Sequence, residues 1–389
     1  MRYLILIFLL LASPVLMAQT TRVADNNFNA PTGPNVYSTI QAAVNAASPG
    51  DIIQVQPSPT TYGNVTIGSP GLTLMGIGFN LVGKDIPLTS KMGTITLTNN
   101  TDNTLDADGT IITGLQLTYL YLGNNTGPSY TLQNILVENC AMNYIFAQSG
   151  SPTDGLEVRG CRMWDTNYAI YSSNYLNNAV IRNNLMNGSI SFVHASPGNN
   201  LVTNNIMYGG INVNATGSNT TILNNNFVGA TGVEAAFNTK LLDCIVTNNI
   251  FFGSTPSIGN TGSTSTNFQR NVFTNNISFA TGDDALPPAG GGSGNTGSGN
   301  IVASSPSFVN VQLLDAWSSA YDFTLQAGSP AINAGSDGTD MGITGGSYPF
   351  TTPNFEYKTT PAPTIQILNT STVINPGDNL PVRIKAKSN

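Results

Sequence analysis

Charge is what this chain has least of. Lys, Arg, Asp and Glu make up 8% of its 389 residues, and 13 bases against 20 acids leave a net charge of −7. A nucleic-acid-binding surface needs a basic patch or stripe, and a chain with a sequence pI of about 4.5 does not supply one. Histidine occurs once, as His194. One imidazole in FVHAS makes no Ser-His-Asp or Cys-His pairing, so His194 reads as a polar turn or surface residue rather than a catalytic base. Cysteine occurs three times, an odd number, in none of the paired spacings that bind zinc. Beyond the first 18 residues no apolar run is long enough to span a bilayer. The expectations are no nucleic acid, no thiolate metal centre and no membrane span.

The segment 1–18 itself reads as a secretory signal peptide. Arg2 leads into an apolar run at 4–11, and Leu16-Met17-Ala18 before Gln19 fits a small-residue cleavage site. No Cys follows the run to carry a lipid. The expected location is therefore secreted, extracellular or at the cell surface. Neutral polar Asn, Thr and Ser, with 40 Gly, take the place of the missing charge.

Asparagine is what recurs. Seven segments align: VENCAM (137–142), VRGCRM (158–163), IRNNLM (181–186), VTNNIM (202–207), LNNNFV (223–228), VTNNIF (246–251) and FTNNIS (273–278). The anchor column reads Asn139, Gly160, Asn183, Asn204, Asn225, Asn248 and Asn275, in steps of about 21 to 23 residues with a longer last step. Asn tolerates a left-handed backbone and bonds neighbouring backbone through its amide, and stacked Asn side chains can form ladders. Two residues before the anchor stand Val137, Val158, Ile181, Val202, Leu223, Val246 and Phe273; two after it stand Ala141, Arg162, Leu185, Ile206, Phe227, Ile250 and Ile277. Short apolar strands of this kind bury nothing alone, but coil stacked on coil buries a continuous core. The pattern predicts an all-β parallel β-helix of about ten to twelve coils, rising about 4.8 Å per coil. A further column, Met142, Met163, Met186, Met207, Val228 and Phe251, either swings into the core at the turn or forms an exposed apolar stripe.

At the N-terminal side, Ser38-Thr39-Ile40-Gln41 looks like a capping box, and Ile40, Ala43, Val44 and Ala47 recur at helical spacing before Pro49-Gly50. A helix of about ten residues covering the open end of the core is expected there. The stretches 254–267 and 281–300, rich in Gly, Ser, Thr and Asn, read as projecting loops. The solenoid is assigned to 19–346, a Pro/Thr-rich linker to 347–363, and a small β-hairpin tail, turning at Asn375-Pro376-Gly377-Asp378, to 364–389.

YSTIQAAVNAASPGDIIQV (37–55) followed by TTYGNVTI (60–67) resembles the opening of right-handed parallel β-helix proteins of the pectin-lyase-like superfamily. SPAINAG (329–335) with Asp340-Met341-Gly342 resembles the closing motif of secreted β-helix proteins. The resemblance spans roughly 37–346 and implies the fold. That fold hosts lyases, hydrolases, isomerases and non-catalytic surface proteins alike. Lyases of the superfamily abstract a proton with Lys or Arg while Ca²⁺ or a base neutralises the uronate.

The chain's few charges define the candidates. Glu138, Arg159 and Arg182 occupy one column, with Glu157, Arg162 and Asp165 near in sequence. Arg159 or Arg182 is the base that a lyase would use, with Glu138 and Glu157 holding a cation; the alternative is a surface ion-pair row. Asp154 and Glu157 are the candidate carboxylate pair for glycoside hydrolysis. Asp102, Asp106 and Asp108 are candidate Ca²⁺ ligands or simply a solvated turn; no other cofactor is expected. Cys140 and Cys161, in equivalent positions of consecutive coils, are within reach of a disulfide or pack as reduced thiols. Cys244 reads as a small core residue. Tyr168, Tyr171 and Tyr175 stack on sugar rings or only fill a turn. So few ionisable groups favour a non-catalytic protein, structural, adhesive or binding a polysaccharide or cell-surface glycan, over a polysaccharide lyase or glycoside hydrolase.

Overall fold

Asparagine in the left-handed region bends the chain at the same point of turn after turn. Asn139, Asn183, Asn204, Asn224, Asn248 and Asn275 have φ of 52°, 55°, 51°, 54°, 54° and 51°, and Gly160 takes the same place at 61°. Asn and Gly are the residues that enter this region at least cost. The computed structural model describes residues 19–350 except 69–70, 80–87, 99–106, 124–129, 193–197, 215–218, 232–234, 259–265, 289–291 and 315, together with the strands Lys358–Thr359, Thr364–Thr370 and Val382–Lys387. The proposed signal peptide, His194, Asp102 and Asp106 lie outside the described residues.

Each turn carries up to three short strands, and these stack into parallel sheets of 13, 9 and 10 strands. The first face includes Leu136–Glu138, Glu157–Arg159, Val180–Arg182 and Leu201–Thr203; the second includes Ala141–Met142, Arg162–Met163, Leu185–Met186 and Ile206–Met207; the third includes Tyr119–Leu122, Tyr144–Ala147, Tyr168–Ser172 and Ser189–Phe192. About 8 turns are complete, fewer than the ten to twelve expected, because the first and last rungs lack one or two faces. Alternation places the central residue of each first-face strand inward, so that Val137, Val158, Ile181, Val202, Ile222, Val246 and Phe273 are all fully buried.

One segment of the repeat aligns differently from its appearance. Val202 pairs with Ile222 and Thr203 with Leu223, so the turn residue of that coil is Asn224, not Asn225. Three consecutive asparagines fit either register by type; burial of Ile222 with Leu223 on the outside decides it. The same shift puts Phe227, rather than Val228, below Met207. The column Met142, Met163, Met186, Met207, Phe227 and Phe251 is interior, at most 1% exposed. The bend at the turn swings it there.

Asn225 belongs to a second, buried row. Asn184, Asn205, Asn225 and Asn249 each donate from Nδ2 to the Oδ1 of the next turn's asparagine at 3.0 Å, and Asn276 continues the row to Asn300 at 3.1 Å. Each receiving Oδ1 also accepts a backbone N–H, as from Asn205 to Asn225. Each Nδ2 reaches a backbone carbonyl as well, as from Asn205 to Ile181. The polar groups of the corner are thereby satisfied inside an apolar core.

Two residues past the turn, Leu185, Ile206, Ile250 and Ile277 point away from that core and are still buried. Among the described residues the chain beyond Ile301 adds no further parallel rung. It runs back along the outside of the second face, packing Phe308, Phe323, Met341 and Ile343 onto this outer column. The outward side chains of the turn asparagines hold it down in reverse order: Asn275 donates to Ala334 O, Asn224 to Gly342 O, Asn204 to Gly345 O and Asn183 to Tyr348 O. Close approach requires Gly342, where a Cβ would lie 2.2 Å from Asn226 Oδ1. Further on, Lys358–Thr359 pairs antiparallel with Gly78–Phe79, and Thr364–Thr370 forms an antiparallel pair with Val382–Lys387.

The helix Ile40–Ala46 covers the N-terminal end, capped by the Thr39 hydroxyl accepting from Ala42 N at 3.1 Å. It has 7 residues, since Ala47 is already extended. Beside it Asp51, 2% exposed, accepts from the backbone N–H of Thr20 and Ser48 and pairs with Arg22 at 3.0 Å. Burial alone would raise the Asp51 carboxyl, but these N–H groups and the guanidinium outweigh it and leave the pKa below its ordinary 3.8.

Replacing Asn205 with Ala strands the donors of Asn184 on one side of the row and takes a donor from the Asn225 acceptor on the other, and is expected to remove about 3 kcal/mol of stability in a urea titration. Asn204→Gly keeps the turn and loses the bonds to the returning segment together with the one accepted from the Thr203 hydroxyl, so a smaller loss of about 1 to 2 kcal/mol is expected in the same titration. A group with a lowered folded pKa stabilises above its unfolded value and loses that contribution as pH falls. Asp51→Asn should therefore be less stable than the parent by about 2 kcal/mol at neutral pH, with the gap closing as pH drops below about 4.

Candidate functional site: an aromatic face and an ion-pair row

The charged column stands outward on the first face, because the residues flanking each buried centre point away from the core. Arg159 donates from Nε and Nη2 to Glu138 at 2.8 and 2.6 Å and pairs with Glu157 at 3.2 Å; Arg182 pairs with Glu157 at 2.7 Å. The guanidinium of Arg182 also lies 4.7 Å from the ring of Tyr348 on the returning segment. Two acids and two bases thus neutralise each other across three turns. Partial burial works against the Arg159 charge, but Glu138 and Glu157 outweigh it and hold the pKa above its ordinary value. That is the reverse of what a proton-abstracting arginine needs. Arg162, on the second face, is 4.5 Å from the Trp317 ring.

The other candidates disperse. Asp154 sits on the corner strand Thr153–Asp154 and accepts from Asn178 Nδ2 at 2.7 Å, whereas Glu157 is committed to the two arginines. Asp108 caps a turn, accepting from Gln133 N at 2.7 Å. Among the described residues no group of three or more His, Cys, Asp or Glu side chains converges to hold a metal ion.

Of the two readings of Cys140 and Cys161, a disulfide or packed reduced thiols, the structure has the thiols. Both are fully buried free thiols, and so is Cys244 at 1% exposure. They continue the inner corner row upward from the asparagines, with Cys161 N donating to Asn184 Oδ1 at 2.8 Å. Their sulfurs lie 3.2 Å from Glu138 O and 3.3 Å from Arg159 O. Burial pushes the Cys140 thiol well up, which withholds the thiolate that exchange chemistry requires.

The third face carries what sequence reasoning found only in part, since Tyr168 and Tyr171 have ring neighbours on the two preceding turns. Tyr119 and Tyr121, Tyr144 and Phe146, and Tyr168 and Tyr171 all project outward from three consecutive turns, while Leu120, Leu122, Ile145, Ala147 and Ile170 between them fill the core. The register is continuous: Tyr119 lies beside Tyr144, and Tyr121 beside Phe146, which lies beside Tyr171. A bulge between Tyr168 and Ile170 absorbs the buried Ala169 and turns Tyr168 out as well, to 42% exposure. Neighbouring centroids are 4.6 Å apart for Tyr119–Tyr144, 5.3 Å for Phe146–Tyr171 and 4.7 Å for Tyr168–Tyr171. With about 4.8 Å per turn the rings cover roughly 10 Å along the axis. Tyr175, 43% exposed, stands past the next bend.

The rim is polar. Asp165 Oδ1 accepts from the N–H of Asn167 at 2.8 Å and of Tyr168 at 3.1 Å. Trp164 Nε1 donates to Asn143 Oδ1. On the following turns Asn212 donates to Ser191 Oγ at 3.1 Å and accepts from Thr239 at 2.8 Å. Burial, the Tyr121 hydroxyl and the nearby Asp165 carboxylate raise the Tyr144 pKa to about 12. Its hydroxyl therefore stays a donor across the physiological range. The signal in the sequence is YLYL, YIFA and YAIYS, each shortly after the inward Leu117, Met142 and Met163.

No family model matches the sequence, and neither does any curated protein. Among solved structures the pectate lyase Pel9A superposes with a TM-score of 0.50, over 84% of this chain and 96% of that one, at 14% identity. The fold is a right-handed parallel β-helix, the architecture it shares with Pel9A. This architecture carries many functions, so the likeness extends to the backbone and no further.

Spectrophotometric titration checks the ring environment. Removing Tyr144 by substitution with Phe should reduce by one the phenolates that form near pH 12, where Tyr62 also ionises; an unchanged amplitude near pH 12 would contradict the packing described.

Proposed function

We propose that this protein is an exported, non-catalytic β-helix that binds a polysaccharide on its third face. The observation that carries the reading is the set of six outward aromatic rings in register on three turns. Flat C–H faces of sugars pack on such rings, and tyrosine hydroxyls and a polar rim supply hydrogen bonds to the ring substituents. The name of Pel9A identifies a pectate-cleaving enzyme, and a shared backbone adds support for a polysaccharide ligand. Binding rather than cleavage is supported by the state of the charges: Arg159 is held protonated, and Asp154 and Glu157 serve different partners. Export is supported by the segment 1–18 and by the neutral polar surface; no helix of the described residues is long and apolar enough to cross a membrane.

Affinity electrophoresis in gels containing soluble polysaccharides tests this directly. The parent should be retarded in at least one gel, and Tyr144→Ala or Tyr168→Ala should each weaken binding about fivefold to tenfold, the scale of one lost ring contact of about 1 kcal/mol. Release of unsaturated or newly reducing products, abolished by chelator or by Arg159→Gln, would replace the binding reading with an enzymatic one.

A further inference from the structure

The charge distribution around the aromatic face bears on which glycan it takes, an inference that rests on the binding reading above. On the three turns that carry the rings, the described residues of the third face include no Lys or Arg. The cations of those turns lie elsewhere. Arg159 and Arg182 are on the first face, occupied by Glu138 and Glu157, and Arg162 is on the second, beside Trp317. Among the described residues the ionised group at the edge of the rings is Asp165, whose carboxylate is fixed by two backbone N–H groups and acts on the Tyr144 hydroxyl. A polyuronate or sulfated chain laid on the rings would meet a carboxylate and no counter-charge among the described residues, and like charge at this range repels. The nearest cation of this face is Lys240, three turns beyond Tyr171, where its backbone N–H bonds Asn212.

We propose that the face selects a neutral glycan and excludes acidic polysaccharides, with Asp165 as the excluding residue. An uncharged chain loses little solvation on the rings, and its hydroxyls meet the Tyr144 phenol and the Asn212 amide. The rings run across the strands, from Tyr121 through Phe146 to Tyr171, and the same register continues to Ser191 and Asn212. The bound chain therefore lies parallel to the solenoid axis, apolar contacts at one end and hydrogen bonds at the other.

The experiment compares neutral polysaccharides (a glucan, a xylan, a mannan and a galactan) with polygalacturonate, using the whole protein at low and high salt. Expected is binding to a neutral chain that changes less than twofold with salt, falls about tenfold in Tyr168→Ala and survives in Tyr168→Phe, with no binding to polygalacturonate. Asp165→Asn should admit measurable polygalacturonate binding at low salt; continued exclusion of polygalacturonate by this variant would overturn Asp165 as the excluding residue. Polygalacturonate bound by the parent and lost in Tyr168→Ala would overturn the selectivity while leaving the aromatic face as a glycan site. Absence of any glycan binding, or binding indifferent to both tyrosine variants, would overturn the glycan reading itself. Unfolding midpoints of the variants, expected within a degree or two of the parent, separate lost contact from lost fold.

Discussion

The amide-to-amide hydrogen bond at the corner is the interaction on which the rest of the molecule depends. A parallel β-helix must bend its chain sharply beside a dry core, and every bend exposes backbone N–H and C=O groups to that core. Here one asparagine takes the left-handed conformation that makes the bend, and the next turns its side chain inward to bond the bend above and below it. Two adjacent residues of one type thus do two different jobs. The outer ones are then free to hold the returning C-terminal segment, which seals the apolar second face from outside. One pair of columns fixes the turn, the spacing of the stack and the path of the last fifty or so residues described.

This economy explains which features could be read in advance. The repeat, the parallel stack and the capping helix are local or periodic, and the sequence carries them directly; the cap lies one residue later than the capping-box pattern implies, at Thr39 rather than Ser38, while Gln41 bonds Thr66. The single slipped segment has a physical cause, since Asn224, Asn225 and Asn226 offer two registers of equal composition and only burial of Ile222 separates them. The inward course of the methionines was undecided because a two-residue strand after a sharp bend has no alternation of its own to count. The return of 302–350 over the second face was not legible at all: it depends on contacts across more than a hundred residues, such as Asn224 to Gly342.

The candidate site divides in the same way. Rare charges drew attention to Glu138, Glu157, Arg159 and Arg182, and stacking does bring them together, though as a neutral network. Cys140 and Cys161 do stack, yet as thiols facing carbonyls. Of the aromatic face the sequence singles out only Tyr168 and Tyr171, and the four rings on the two preceding turns escape because they lie just past the aligned window, where each turn differs in length. The whole face becomes visible only when Tyr119, Tyr144 and Tyr168 are placed on adjacent rungs. A surface that recruits rings and neutral polar groups in place of charge suits a chain that spends so little charge anywhere.

Distance between labelled turns tests the central claim, the register imposed by the two asparagine columns. Nitroxide labels at Leu136 and Ile245 stand on outward positions of the first face joined by five successive pairings, through Glu157, Val180, Leu201 and Thr221. Pulsed electron resonance should give one narrow distribution near 24 Å, five rises of about 4.8 Å. A broad distribution, or a mean displaced by more than one rise, would contradict the stack as described.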